Sequence, residues 1–322
     1  MTSGSYRWSQ THGTARLGSK STLKHYCATH HLAERGKVGS VKNPLFVPGN
    51  DAVRIPKAFA AAEDSVILDL EDAVATAEKA SARVFARNIV SEYRDHPVAS
   101  WVRVNAFSTG LIEDDVATVV VEGLAGIVLP MAQSGADVQA LDALITQAEQ
   151  KQGIPTGTTP IVPLIETARG FIDIPTIVGA STRVSTAMFG PGDFTLDIGV
   201  TLTRDAHELD VVRTLFPIYC RARGVAAIDG AYPFIADLEQ FEVTTAAGKT
   251  MGFIGRTALH PKQLAIAVAV YKPSDEELAW AQRVIDAFAK AEAQGIASIM
   301  TSQGEFVDYP VAARAQALLD TK

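Results

Sequence analysis

Eight short apolar runs, each followed by a stretch with helical spacing, constrain this chain more than any other feature of it. The runs are LFVP (45–48), VILDLED (66–72), WVRVN (101–105), GIVLP (126–130), IVPLIE (161–166), VSTAMFG (184–190), VAAID (225–229) and MGFIGRTALHP (251–261). Between them lie Ala-rich amphipathic stretches, clearest at 76–95, 135–150, 205–223 and 236–248. Parallel strands require helical crossovers, and strands buried on both faces read as continuous apolar runs rather than alternating ones. Eight such units over about 220 residues predict an α/β fold, a (β/α)8 TIM barrel, with a doubly wound open sheet as the alternative. A barrel of ~250 residues forms one domain, so a chain of 322 residues has room for a barrel and an extension at either end.

Both ends read differently from the middle. Residues 1–42 hold seven basic residues (Arg7, Arg16, Lys20, Lys24, Arg35, Lys37, Lys42) against a single acid, Glu34, with frequent Ser and Thr and no apolar periodicity. They read as a disordered extension or, alternatively, an organellar transit peptide; they do not resemble a secretory signal, which would carry an apolar segment. The barrel is expected over 43–294. Ser274, with Glu277 three residues on, forms a capping box that opens a last long helix running to about Gln294, where Gly295 ends it. The stretch SIMTSQGEFVDYP then leads into a short helix at about 311–320, giving a C-terminal helical lid segment over 295–322.

Composition removes several classes of function. A net charge of −7 without a basic stripe argues against a nucleic-acid surface. No run approaches the ~18 apolar residues that a membrane-spanning helix needs. Cys27 and Cys220 are too few and too far apart for a disulfide framework or a zinc site, which points to a reducing compartment. The expected location is the cytoplasm, or the mitochondrial matrix if the basic extension is a transit peptide.

In a barrel, chemistry gathers at the carboxyl ends of the strands. Here the second run ends in Asp69, Glu71 and Asp72, the third carries Arg103 and Asn105, and the fifth ends in Glu166. The sixth leads into AMFGPGDF, placing Asp193 just past Gly190, Pro191 and Gly192; the seventh ends at Asp229 and the eighth near His260. Each residue alone has a structural explanation: Asp72 as a helix cap, Asp229 in a turn, Arg103 as counter-ion to a buried carboxylate. Several carboxylates on one rim with a single Arg repel one another and call for a cation. A hard divalent ion fits, because Mg²⁺ takes one or two carboxylates and keeps positions for water or substrate. Glu166 and Asp193 follow adjacent strands and can share one ion, and no His or Cys stands at zinc spacing beside them. Gly190 and Gly192 offer close backbone approach and N–H groups for an anionic ligand, which Pro191 cannot donate.

The segments LFVPGN, SVILDLEDAVATAEKASAR, WVRVNAFSTG, PLIETARG, FGPGDF, AIDGAY, MGFIGRTALHPKQ, YKPSDEELAWA and FVDYPVAARAQ occur in this order over about residues 43–320. Together they resemble the HpcH/HpaI aldolase/citrate lyase family, in its citrate lyase β-chain-like branch with the malyl-CoA and citramalyl-CoA lyases. The resemblance implies a barrel that assembles as a trimer or hexamer and makes or breaks a carbon–carbon bond beside a CoA thioester. It implies that Glu166 and Asp193 bind Mg²⁺ (Mn²⁺ being an alternative) and that Arg103 contacts the 2-oxo acid and the enolate oxygen. Glu71 and Asp72 would hold metal-bound waters, and Asp308 of FVDYP would be an acid/base group reaching a neighbouring subunit's site. Two departures stand out. Met131 and Gln133 occupy positions where many relatives carry Lys and Glu, and Lys42 and Asn43 precede Pro44 where the first-strand motif often begins with Arg.

The activity so implied is reversible Claisen cleavage of a 3-hydroxyacyl-CoA, of citramalyl-CoA or malyl-CoA type, to acetyl-CoA and pyruvate or glyoxylate. Its partners would be small molecules and further copies of the chain. Alternatives are a CoA-independent 2-oxo acid aldolase, a malyl-CoA thioesterase, a citrate lyase β subunit, or a silent CoA-binding scaffold.

Overall fold

The structure, a computed structural model, describes residues 23, 24, 26, 41–301 and 303–321. The extension expected over residues 1–42 therefore lies almost wholly outside the described residues. Eight parallel strands follow one another in sheet order: β1 (Leu45–Pro48), β2 (Ser65–Asp69), β3 (Ala99–Arg103), β4 (Leu124–Leu129), β5 (Ile161–Ile165), β6 (Thr186–Phe189), β7 (Ala226–Asp229) and β8 (Gly255–Arg256). Backbone bonds from Phe46 N to Ala258 O (3.0 Å) and from Ala258 N to Pro44 O (2.9 Å) return the last strand to the first. The barrel is closed, and the expectation of an open sheet is set aside.

The crossovers are helical. They are α1 (Arg54–Ala61), α2 (Lys79–Glu92), α3 (Ile112–Val119), α4 (Gly135–Gln152), the short pair α5 (Ala168–Ile172) and α6 (Ile174–Val178), α7 (Pro191–Asp197), α8 (Asp210–Arg221), α9 (Leu238–Met251) and α10 (Pro261–Tyr271). The strand interiors are buried on both faces, as their unbroken apolar runs imply. Their side chains nonetheless alternate between two cores, because successive Cβ atoms point to opposite faces. Ile67, Trp101, Val128, Val162, Leu164, Met188 and Ile228 fill the barrel interior. Val66, Leu68, Val102, Ile127, Ile165, Ala187 and Ala227 pack outward against the helices. Trp101 needs the room that Gly126 leaves on β4, since a Cβ there would collide with the indole ring.

This parity decides which strand-end charges can meet. Asp69 is two residues past Ile67, Arg103 two past Trp101 and Glu166 two past Leu164, so all three face the barrel mouth. Asp229 is two past Ala227 and faces the helices instead. The expected strand at 251–261 is shorter than its apolar run: Met251 ends α9, Gly252 takes φ +108° as its cap, and pairing with the neighbouring strands is confined to residues 254–258. Met-Gly at the head of this run looks like strand but serves here as a helix end and its cap.

Two compact units divide the chain: Gly36–Lys272 holds the barrel, and the other includes Pro273–Lys322. The second contains α11 (Asp275–Glu292), opened by Ser274 and Glu277 in a reciprocal capping box. The hairpin β9 (Ile299–Met300) and β10 (Phe306–Val307) and the terminal α12 (Tyr309–Leu319) complete it. Phe288, Val307 and Ala312 are at the centre of its own apolar core.

Candidate active site

Asp69 and Arg103 form the fixed centre of the barrel mouth. Arg103 Nε and Nη2 donate to Asp69 Oδ1 and Oδ2, both at 2.7 Å, a bidentate pair in which both residues are at least nine-tenths buried. The same carboxylate accepts from Glu71 N (2.9 Å) and Ala73 N (3.1 Å), folding the chain past β2 into a tight loop. The Phe46 ring lies 5.2 Å from the guanidinium carbon and packs against its face. Burial disfavours the Arg103 cation, but the hydrogen bonds and charge of Asp69, with Glu71 and Glu166 behind them, raise its pKa further. Of its five N–H groups the pair consumes two, leaving the outer edge to face other partners.

Those partners are acids. Glu71 Oε2 lies 2.8 Å from Arg103 Nη1, and Asp72 Oδ2 lies 3.7 Å from Nη2. Glu166, 3% exposed, follows β5, and Asp193 stands in the first turn of α7, following β6. Burial raises the Glu71 carboxyl to about 7; Arg103 pulls it back only in part, while Asp72, Asp69 and Asp193 push it up. Burial likewise raises Glu166 to about 8, with the charge of Glu71 next, against Arg103 and a hydrogen bond from Met131 N. Four carboxylates, those of Asp69, Glu71, Asp72 and Glu166, thus share one guanidinium, and Asp193 adds its charge to Glu71 and Glu166.

The backbone is shaped around Glu166. Gly190, at the head of FGPGDF, leaves the space its side chain occupies: a Cβ there would collide with Glu166 Cγ. Gly190 N–H donates to Ile165 O (2.8 Å), which corrects the expectation that it offers itself to a ligand. Gly192 stands open, with nothing within 4 Å of where a side chain would begin. Met131, after β4, adopts φ +51°, a conformation costly for a side-chain-bearing residue, and its N–H donates to Glu166 Oε2 at 2.9 Å.

Two strand-end charges belong elsewhere. Asp229 receives Arg213 Nε (3.2 Å) and Nη2 (2.5 Å) on the helix side of β7. His260 caps α10 by accepting from Lys262 N. Period-two parity within VAAID would have separated Asp229 from the rim. Asp308 caps α12, accepting from Val311 N at 3.2 Å, in the second compact unit. Asp72 sits on the exposed side of the loop and caps no helix. Residue types alone did not assign the hub role of Asp69 or the Met131 N–H contact. The first had a signal in its parity with Ile67; the second had none, because a backbone donor leaves no trace in residue identity.

The donor set fits a hard divalent cation. The acids offer oxygen only, and no His or Cys belongs to the cluster as it stands. Glu71 Oε2 is buried and, although it touches Arg103, makes no hydrogen bond. A cation between Glu166 and Asp193 would favour the ionised forms of Glu166 and Glu71 and relieve a repulsion that the protein itself leaves unbalanced.

A sequence model of the HpcH/HpaI aldolase/citrate lyase family matches residues 42–261. The chain belongs to this family. It is an enzyme in the class of carbon–carbon lyases. It is similar to the citrate lyase subunit beta of Leuconostoc mesenteroides subsp. cremoris, at 33% identity covering 85% of this chain and 91% of the relative. An L-malyl-CoA/beta-methylmalyl-CoA lyase of Cereibacter sphaeroides is 30% identical, covering 85% and 92%. The crystal structure of protein CitE from Mycobacterium tuberculosis, in complex with magnesium, acetoacetate and coenzyme A, superposes with a TM-score of 0.67 at 30% identity, covering 86% and 96%. Among the described residues, no helix is long and apolar enough to cross a membrane.

Proposed function

We propose that the chain is a Mg²⁺-dependent CoA-ester lyase that cleaves a 3-hydroxyacyl-CoA of malyl-CoA or citramalyl-CoA type to acetyl-CoA and a 2-oxo acid. The observation that carries this reading is the excess of rim acid around one guanidinium, with Glu71 and Glu166 raised by burial and by their neighbours' charge. Glu166 and Asp193 would hold the ion, and Glu71 and Asp72 would steady its waters. When bound, Mg²⁺ supplies Lewis-acid polarisation and a template for the oxo-acid half of the substrate.

The steps assigned to this chain's own residues follow from their positions. Arg103, fixed by Asp69, directs N–H groups at the oxygen where negative charge develops as the carbon–carbon bond breaks. A donor that is already oriented stabilises that charge without reorganisation. The hydroxyl gives up its proton to a carboxylate of the rim and its oxygen becomes the new carbonyl, while the electron pair of the broken bond passes to the thioester enolate. Gly192 offers a backbone N–H beside Asp193 to the substrate carboxylate. The returning proton is assigned to Asp308 on the FVDYP motif alone, acting in a neighbouring copy's site.

Homo-oligomerisation is part of the reading. Ile172 and Leu196 are 76% and 78% exposed, with Ile198 and Val200 also exposed nearby. Asp197 Oδ2 ties this region together by accepting from Ala168 N at 2.7 Å. An apolar cluster of this kind suits burial against another copy. A reducing compartment such as the cytoplasm suits Cys220, a buried free thiol.

The test is acetyl-CoA release from malyl-CoA and citramalyl-CoA, with Mg²⁺ and with EDTA, on wild type and Asp308→Asn. Metal-dependent cleavage lost in the variant is the expected result, and the faster ester names the substrate. No cleavage of either ester, with condensation of pyruvate and an aldehyde instead, would make the protein a CoA-independent aldolase.

A further inference from the structure

The stretch ATAEKASAR supplies a residue that the reading above does not use. Lys79 is the first residue of α2, where the helix dipole disfavours a cation. Its ammonium nonetheless sits half-buried under the loop that carries Glu71, and each of its three donors is engaged. Nζ donates to Leu70 O at 2.9 Å, Glu71 O at 2.8 Å and Asn105 Oδ1 at 2.6 Å. All three acceptors are neutral carbonyl oxygens, so Lys79 acts as a three-point clamp rather than an ion-pair partner.

The third point of the clamp is itself fixed. Asn105 Nδ2 and N both donate to Asp115 Oδ2, at 2.6 and 2.9 Å. Asp115 Oδ1 accepts from Arg83 Nε at 2.9 Å. With its amide nitrogen held by Asp115, Asn105 must turn its oxygen to Lys79. A continuous chain therefore runs from Arg83 through Asp115, Asn105 and Lys79 to the successive carbonyls of Leu70 and Glu71. Asp69 grips the same loop from the barrel side through Glu71 N and Ala73 N.

We propose that Lys79 is a positioning residue that fixes the Glu71 loop against β3 and so sets the geometry of the acidic seat. It touches no substrate or ion. This inference rests on the metal-site reading for its consequence, but the anchoring itself can be measured without metal. Removing one group that orients a metal site costs typically 10–100-fold in affinity.

The experiment compares wild type, Lys79→Met, Lys79→Gln and, as a destabilised control remote from the rim, Glu149→Gln. Amide exchange over residues 66–78 is followed on the metal-free protein, and Mn²⁺ affinity by calorimetry. Expected are exchange over 70–74 faster by about tenfold and Mn²⁺ affinity lower by at least about tenfold in Lys79→Met. Lys79→Gln should lie between it and wild type, and Glu149→Gln should change neither quantity. Should Lys79→Met fail to fold, Lys79→Gln carries both readouts. Unchanged loop exchange, or Mn²⁺ affinity reduced no more than in Glu149→Gln, would overturn the proposal. Failure of the wild type to bind Mn²⁺ would sink the metal-site reading instead, while loop exchange would still decide whether Lys79 anchors Glu71.

Discussion

The two ends of strands β5 and β6 carry charge clusters of opposite kinds. At the carboxyl ends, Glu166 and Asp193 join Asp69, Glu71 and Asp72 around Arg103, and the acids outnumber their partner. At the amino ends, Arg183 satisfies all five of its N–H groups. Nε donates to Asp142 (2.5 Å), Nη1 to Glu149 (2.8 Å) and Thr159 O (3.0 Å), and Nη2 to Thr146 (3.0 Å) and Glu149 (2.7 Å). Glu149 also accepts from Gly157 N and Thr159 N, each at 2.8 Å. The lower cluster is complete in itself and ties α4 to the loops entering β5 and β6. The upper one leaves a buried acid oxygen, Glu71 Oε2, without a hydrogen bond. A fully satisfied polar network rigidifies a fold, whereas one short of partners stores the cost that a ligand later relieves. That difference separates scaffold from site on the same two strands.

The sharpest way to break the contrast is Glu166→Gln. At the rim it should lower ester cleavage about a thousandfold, or ~4 kcal/mol of barrel-mouth stabilisation of the transition state. The metal-free protein should melt no lower than wild type, because a group held at about 8 gives up little on becoming a neutral amide. A thermal melt and a turnover assay read the two halves. The corresponding change below, Arg183→Met, leaves Glu149 buried without its partner and should cost about 3–5 kcal/mol of stability, checked by urea unfolding.

Gly190→Ala sharpens the upper half. The new Cβ meets Glu166 Cγ, so the carboxylate must shift, and Mg²⁺ affinity should fall about 10–100-fold by calorimetry.

The smallest effects are the pH dependences, and the two clusters should have opposite signs. Glu71 and Glu166 have folded pKa values of about 7 and 8 against an ordinary 4.5. Their protonated forms are favoured, so their contribution is full below about 4.5 and is lost as pH rises past 7 and 8. The metal-free melting temperature should fall between pH 6 and 8.5, and Mg²⁺ should raise it more at the upper pH. Burial works against the charge of Glu149, but Arg183 and the two backbone N–H groups outweigh it and hold the carboxyl at about 2. Its contribution is present above about 4.5 and lost as pH falls toward 2, so Glu149→Gln should flatten the acid limb of a melting profile.

Much of the upper cluster was legible before the structure. Burial on both faces makes the strand runs of a closed barrel continuous, and a carboxylate that ends such a run stands out, as Glu166 does after IVPLI. Which of these charges meet is a matter of parity, and residue type alone grouped Asp229 with the rim although it faces Arg213. The lower cluster left almost no sign. Glu149 and Arg183 lie 34 residues apart, one in a helix and one in a loop, where a lone acid or base reads as a solvated surface residue. The eighth strand was overdrawn because helix end, turn and strand share the same apolar composition over 251–256.

The most direct test of scaffold against site is a paired measurement on wild type, Glu166→Gln and Glu149→Gln: Mg²⁺ affinity by calorimetry and metal-free melting temperature at pH 7.5. Glu166→Gln should lose Mg²⁺ binding and keep its melting temperature, while Glu149→Gln should keep Mg²⁺ binding and melt lower. If Glu166→Gln bound Mg²⁺ as tightly as wild type, the rim acids would be structural and the metal seat would lie elsewhere.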